Sequence, residues 1–155
     1  MRVVLAGLNH MSLEAARQFE DEGADVILID PDKGRFEDLA GDLDIAFIEG
    51  DGGRPEVIAD ANPRDVDVMY CLADDDKDNI IAALVGRAAG IERVIPKIED
   101  RSYDPICDEI GLTERIDPDH SVAKALVAMS RGRKDGVDAE DVEPEENGEA
   151  DGNGE

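Results

Sequence analysis

The sequence predicts an α/β domain, a doubly wound parallel sheet with helices on both faces. Three observations carry this expectation. Short runs rich in β-branched residues alternate with helical patterns along the first 130 residues, as in strands joined by crossover helices. The strand runs are continuously apolar rather than alternating, Val26-Ile27-Leu28-Ile29 being an example, which suits strands covered on both faces. Two of the helical stretches stop at glycines, Gly23 and Gly90, residues that readily end a helix.

Strands are expected at 3–6, 26–29, 45–48, 66–72 and 93–96, with a further short one near 115–116. Helices are expected near 11–22, 34–40, 55–60, 75–89, 103–110 and 119–129. The division is a folded domain over 1–130 and a tail over 131–155. That tail is rich in Gly, Asp and Glu and has few apolar residues to bury, so it is expected to be disordered.

The chain has 155 residues, 41% of them apolar, enough for one domain with a real core. No run approaches the roughly 20 apolar residues that cross a bilayer. Direct membrane insertion is therefore not expected. The opening MRVVLAGLN reads as a first strand, not a signal peptide, and a cytoplasmic protein is the expectation. Acidic residues number 40 against 16 basic, a net charge of −24. The stretch 130–155 carries −7 of it, leaving −17 on the body. Acidity spread over a body with only five lysines in the whole chain suggests a halophilic protein. Such a field argues against nucleic acid as a partner, because that affinity comes largely from neutralising phosphates. Cys71 and Cys107 make neither a zinc knuckle nor a disulfide framework, and His10 and His120 have no cluster of ligands beside them, so no metal site is expected.

The turn after the first strand, Gly7-Leu8-Asn9-His10-Met11-Ser12, follows the outline of a dinucleotide fingerprint. Asn9 and Ser12 stand in its second and third glycine slots. Asparagine tolerates a left-handed backbone, and serine is small enough for close packing of helix on strand. Asp30 ends the second strand, 23 residues after Gly7, where a carboxylate accepts hydrogen bonds from ribose hydroxyls. The same residue is placed to cap the next helix. Asp51 and Gly52 follow the third strand, at the edge where ligands of open α/β sheets bind, or form a simple turn. Ala73 is small and sits at the switch point, and Asp74, Asp75 and Asp76 beyond it suit capping of the next helix. Lys97 ends the fifth strand, placed to meet a phosphate or to form an exposed pair with Glu99 or Asp100.

The order VVLAGLN, VILIDPD, IEGD, CLADDDKDNIIAALVGRAAG and RVIPKIED, then Arg115-Ile116-Asp117-Pro118, resembles the N-terminal domain of Trk-type potassium-transport regulators. These are the TrkA-N, or RCK N-terminal, domains, and the resemblance covers about 1–129. It implies a Rossmann-like domain that dimerises and binds NAD, NADH or ATP/ADP. It also implies a membrane potassium transporter or channel subunit as partner, with the domain peripheral to the membrane. Carried over by position, Gly7, Leu8, Asn9, His10 and Met11 would line the phosphates. Asp30 would hold the ribose, Asp51 and Gly52 the adenosine end, and Ala73 the switch point. Lys97 would lie near the phosphates or a partner subunit. Some channel relatives bind calcium near this strand end, but a lysine there does not suit calcium.

Two other functions fit less well. A dehydrogenase is disfavoured because neither Tyr70 nor Tyr103 has a lysine four residues on. A response-regulator receiver would match Asp51 and Lys97 but needs an acidic pair after the first strand, where this chain has Gly7, Leu8 and Asn9. No catalytic residue is therefore assigned. The remaining alternative is a nucleotide-free interaction module of the same fold.

Overall fold

The computed structural model describes residues 1–132. The tail expected at 131–155 lies almost wholly outside the described residues. The elements run β1 (Arg2–Ala6), α1 (His10–Asp21), β2 (Asp25–Asp30), α2 (Lys33–Ala40), β3 (Ala46–Glu49), α3 (Pro55–Asp60), β4 (Val68–Cys71), α4 (Asp76–Ala88), β5 (Val94–Pro96), α5 (Asp104–Glu109) and α6 (Pro118–Ser130). Single 3-10 turns fall at Pro63–Asp65 and Arg101–Tyr103. Five strands pair in the order β3-β2-β1-β4-β5, every pair parallel. This is the Rossmann-like sheet, with its reversal of strand order between β1 and β4.

The continuous apolar runs have a direct structural reason. Successive strand residues point to opposite faces. In β1, Val3 and Leu5 face one core and Val4 and Ala6 the other, all four buried. The Val3 side also takes Leu13 and Ala16 of α1 with Val26 and Leu28 of β2. The Val4 side takes Ile58 of α3 and Ile80 and Ala83 of α4. From Val3 to Ala6, β1 therefore has no water-facing side, whereas the edge strand β3 keeps Ala46 and Glu49 exposed. Every fully buried Val, Leu or Ile contributes roughly 1.5–3 kcal/mol.

Helix ends are set by short polar side chains. Asn9 caps α1 by accepting the Ser12 N–H at 3.0 Å, and Ser12 Oγ returns the bond by accepting the Asn9 N–H at 2.9 Å. Asp32 caps α2 by accepting the Arg35 N–H, and Asp75 caps α4 by accepting the Lys77 N–H. Asp76 and Asp78 at the start of α4 and Arg87 at its end complement the helix dipole.

Three expected strands come out shorter, 93–96 by a single residue. The run 66–72 narrows to Val68–Cys71 because Asn62, held at φ +51, and Pro63 open a 3-10 turn that uses up the preceding residues. The strand expected near 115–116 reduces to one parallel bridge, Ile116 beside Lys97 at the β5 edge. The chain divides into Met1–Pro118 and a second unit from Asp119 onward that holds the body of α6. In α6, Val122, Leu126, Val127 and Met129 are between 50% and 70% exposed.

Gly7 is the most constrained backbone position. Its φ is +110°, and a Cβ there would lie 2.5 Å from the Ala73 nitrogen and 2.7 Å from its Cα. Backbone rather than a flexible side chain blocks that space. Gly7→Ala is expected to destabilise the domain by about 3 kcal/mol. Urea unfolding of the variant and the parent, compared by midpoint at equal slope, measures it.

Candidate functional site

The carboxyl ends of all five parallel strands bring the sequence-derived positions to one edge of the sheet. At the switch point the loop after β1 and the loop after β4 touch backbone to backbone, through Gly7 and Ala73. The Gly7 N–H donates to Ile29 O at 2.8 Å, which ties the same loop to β2. Gly52 belongs to this assembly too: a Cβ on it would lie 3.0 Å from the Cβ of Ala6, at the end of β1. The turn after β3 therefore crosses above the end of β1.

Asp30 stands beside the loop, each carboxylate oxygen taking one N–H. Oδ2 accepts from Leu8 at 2.8 Å and Oδ1 from Asp32 at 2.9 Å. Each oxygen has a second acceptor direction, so a ribose hydroxyl can add to these bonds without displacing them. Leu8 contributes only backbone to the edge, because its side chain is buried in the core beneath α1. Its carbonyl accepts from Arg35 Nη1 at 3.2 Å.

Asn9 corrects the expectation of a left-handed backbone. Its φ and ψ are −157° and −179°, extended values open to any residue. The residue is there for its side chain. Besides capping α1, its Nδ2 donates to Leu72 O at 2.6 Å and to Asp74 Oδ1 at 3.2 Å. His10 and Met11 follow as the exposed first residues of α1. The N–H groups of a first helical turn lack partners within the helix, which makes this end receptive to negative charge.

Asp51 is exposed and folds its own turn, Oδ1 accepting the Gly53 N–H at 2.8 Å. Lys97 departs from the exposed pair expected of it. Its partner is Glu99, at 2.9 Å, but the lysine itself is only 4% exposed. The bridge to Ile116 runs beside it, so the edge of the sheet covers what would otherwise be an open position. The charge of Lys97 is already matched before any ligand arrives.

Asn79 was given no role by the sequence, although it lies in a run that carries the family resemblance. It is fully buried in α4, accepts the Ala73 N–H at 2.8 Å, and donates to Ala73 O and Lys97 O at 2.9 and 3.0 Å. One side chain thus joins the exits of β4 and β5. Its sequence signal was its place in the run CLADDDKDNIIAALVGRAAG, which carries the family resemblance. Asp76 works alongside, accepting the N–H groups of Glu99 and Asp100. Among the described residues, no three His, Cys, Asp or Glu side chains group to hold a metal ion. Cys71, at the end of β4, is fully buried, and burial pushes its thiol up to about 12, so it stays protonated at neutral pH. An apolar groove of about 520 Å³ lies elsewhere, between α3 and α4, where Pro55, Ala59, Ile81, Leu84 and Val85 line it.

Removing the Asn79 amide should leave the Ala73 N–H and two carbonyls without partners. Asn79→Ala is expected to cost roughly 2–3 kcal/mol, the penalty of unsatisfied buried groups. Amide hydrogen exchange at Ala73 checks the site directly: it should speed up more than exchange in β2.

A profile of the TrkA-N domain matches residues 3–118. The Trk system potassium uptake protein trkA homolog 1 of Methanosarcina mazei is 25% identical over 134 residues, which is 85% of this chain and 33% of that protein. The chain thus spans about a third of the length of this relative. Among solved structures, the Kef CTD of Shewanella denitrificans in AMP-bound form superposes with a TM-score of 0.69 at 15% identity, over 86% of this chain and 82% of that one. The GsuK channel bound to NAD gives 0.69 at 12% identity, over 82% of this chain and 23% of that one. At these identities the structural likeness is one of fold. With the profile spanning most of the described residues, the chain belongs to the TrkA-N domain family.

Proposed function

We propose that this domain binds NAD, NADH or an adenine nucleotide at the carboxyl edge of its sheet and regulates a membrane potassium transporter through that binding. The observation that carries the reading is the Gly7–Ala73 backbone contact at the switch point, with Asp30 beside it. That arrangement sets a main-chain contact between a ribose acceptor and a helix start at one edge of the sheet. The AMP and NAD held by the two similarly folded proteins support the ligand class. The Trk name of the Methanosarcina relative supports the transporter. Regulation without catalysis suits a site whose titratable groups hold loops and helix ends in place.

A second reading has its own support. Leu8, Asn9 and Lys97 already have partners within the chain, as a domain without nucleotide would require. Thermal unfolding in concentrated salt with NAD, NADH, ATP, ADP and AMP separates the two. A ligand at 100 times its dissociation constant should stabilise the fold by about 2.7 kcal/mol. No shift with any of the five would favour the interaction module. Where a ligand binds, Asp30→Asn should weaken it by about 1.5–3 kcal/mol, the range for hydrogen bonds to a charged group. Titration calorimetry reads this, and an unchanged affinity would remove Asp30 from the ribose.

We also propose a symmetric homodimer built through α6. Its support is the exposed stripe of Val122, Leu126 and Met129, spaced at i, i+4 and i+7 along one helix face. Leu126→Asp should convert a dimer into a soluble monomer in light scattering at high salt. A parent protein that is monomeric at tens of micromolar, on the order of common cellular affinities, would sink the dimer.

A further inference from the structure

Arg35 is an exposed cation at the nucleotide edge that reaches the loop beside the ribose acceptor. The edge is otherwise acidic: Asp30, Asp51, Asp74 and Asp76 stand around it, and Lys97 is buried against Glu99. Arg35 is exposed, and among the described residues no carboxylate lies within ion-pair distance of it. Its place is nevertheless fixed. Asp32 caps α2 through the Arg35 N–H, and Nη1 donates to Leu8 O at 3.2 Å. Because Asp30 holds the N–H of that same leucine, Arg35 sits between the ribose acceptor and the loop that leads into α1. A guanidinium has five N–H donors, and the bond to Leu8 uses one.

We propose that Arg35 binds the 5′-phosphate nearest the ribose of an adenine nucleotide and so selects phosphorylated ligands over nucleosides. The inference rests on the nucleotide-binding reading above. A ligand carrying two or three negative charges meets a body of net −17, and something must offset that repulsion at short range. In about 1 M salt the screening length falls to about 3 Å, so distant charges lose their influence and a charge in direct contact keeps it. Arg35 is positioned to make that contact. A planar fork also matches phosphate oxygens in a way that an ammonium does not.

The test compares wild type, Arg35→Gln and Arg35→Lys with adenosine, 5′-AMP, 2′-AMP and ADP by calorimetry in high salt. Arg35→Gln should weaken 5′-AMP and ADP on the order of tenfold or more while changing adenosine by less than about twofold. Arg35→Lys should fall between, keeping the charge and losing the fork. Equal losses for adenosine, 5′-AMP and ADP would overturn the proposal, since Arg35 would then act only by holding Leu8. A loss confined to 2′-AMP would overturn the 5′ assignment. Wild type that binds none of the four would overturn this inference, whereas the nucleotide reading falls only if NAD, NADH and ATP also fail to bind. Wild type that binds 5′-AMP and loses nothing in Arg35→Gln overturns the role of Arg35 alone. Unfolding midpoints without ligand confirm that both variants fold.

Discussion

The contact between the Gly7 and Ala73 backbones holds the functional edge together. Strand order reverses between β1 and β4, so α1 leaves toward one face of the sheet and α4 toward the other. Two helices diverging from adjacent strands would open a gap between their connecting loops. Here the loops close the floor of that gap by main-chain contact, which leaves no room for even one methyl group at position 7. The contact is then pinned from both sides. Asn9 reaches across to Leu72 O from the β1 loop, and Asn79 clasps Ala73 from within α4. The residues that look like a degraded glycine fingerprint are a different solution to the same geometric requirement, with amides tying the loops where glycines would let them approach a ligand bare.

Strand identities were legible because both faces of the sheet are buried, and a short, continuously apolar run such as Val26–Ile29 suits little else. Boundaries were less so. The start of β4 depends on the left-handed Asn62 and its turn, and an Asn-Pro pair does not reveal how many residues the turn will consume. The strand expected at 115–116 fails to extend because pairing depends on how long the β5 edge continues past Pro96. In the site, Gly7 and Asp30 could be found from spacing alone. The role of Asn9 could not be inferred from its slot in the fingerprint, which suggested left-handed backbone. Asn-x-x-Ser is also a reciprocal capping pattern, and that pattern prevailed. Asn79 and Arg35 act across the fold, on residues 6 and 27 positions away, and no local period announces such reach. Burial of Lys97 depends likewise on Ile116, a neighbour supplied by the bridge.

Asp30 has a structural role that, under the proposed nucleotide binding, would serve the ligand as well. Its two bonds to Leu8 and Asp32 orient the carboxylate before any ligand arrives, so little rotamer freedom is left to lose on binding. The same bonds mean that removing the carboxylate would disturb the loop as well as the proposed ribose contact. An amide in its place keeps one acceptor oxygen, so Asp30→Asn separates charge from shape better than alanine would.

The electrostatics of the domain pose the harder problem. Carboxylates outnumber cations across the body, yet the proposed function calls for an anionic ligand. Long-range attraction cannot supply the affinity, since the field has the wrong sign. What remains is short-range: peptide N–H groups at the start of α1, the oriented Asp30 for the neutral ribose, and contact with a guanidinium. Concentrated salt would favour this division. It screens the repulsion between ligand and body, while hydrogen bonds at contact distance are screened much less. A domain that recognises a nucleotide by backbone and contact donors can therefore carry an acidic surface without giving up its ligand, and the surface is left free to keep the protein hydrated.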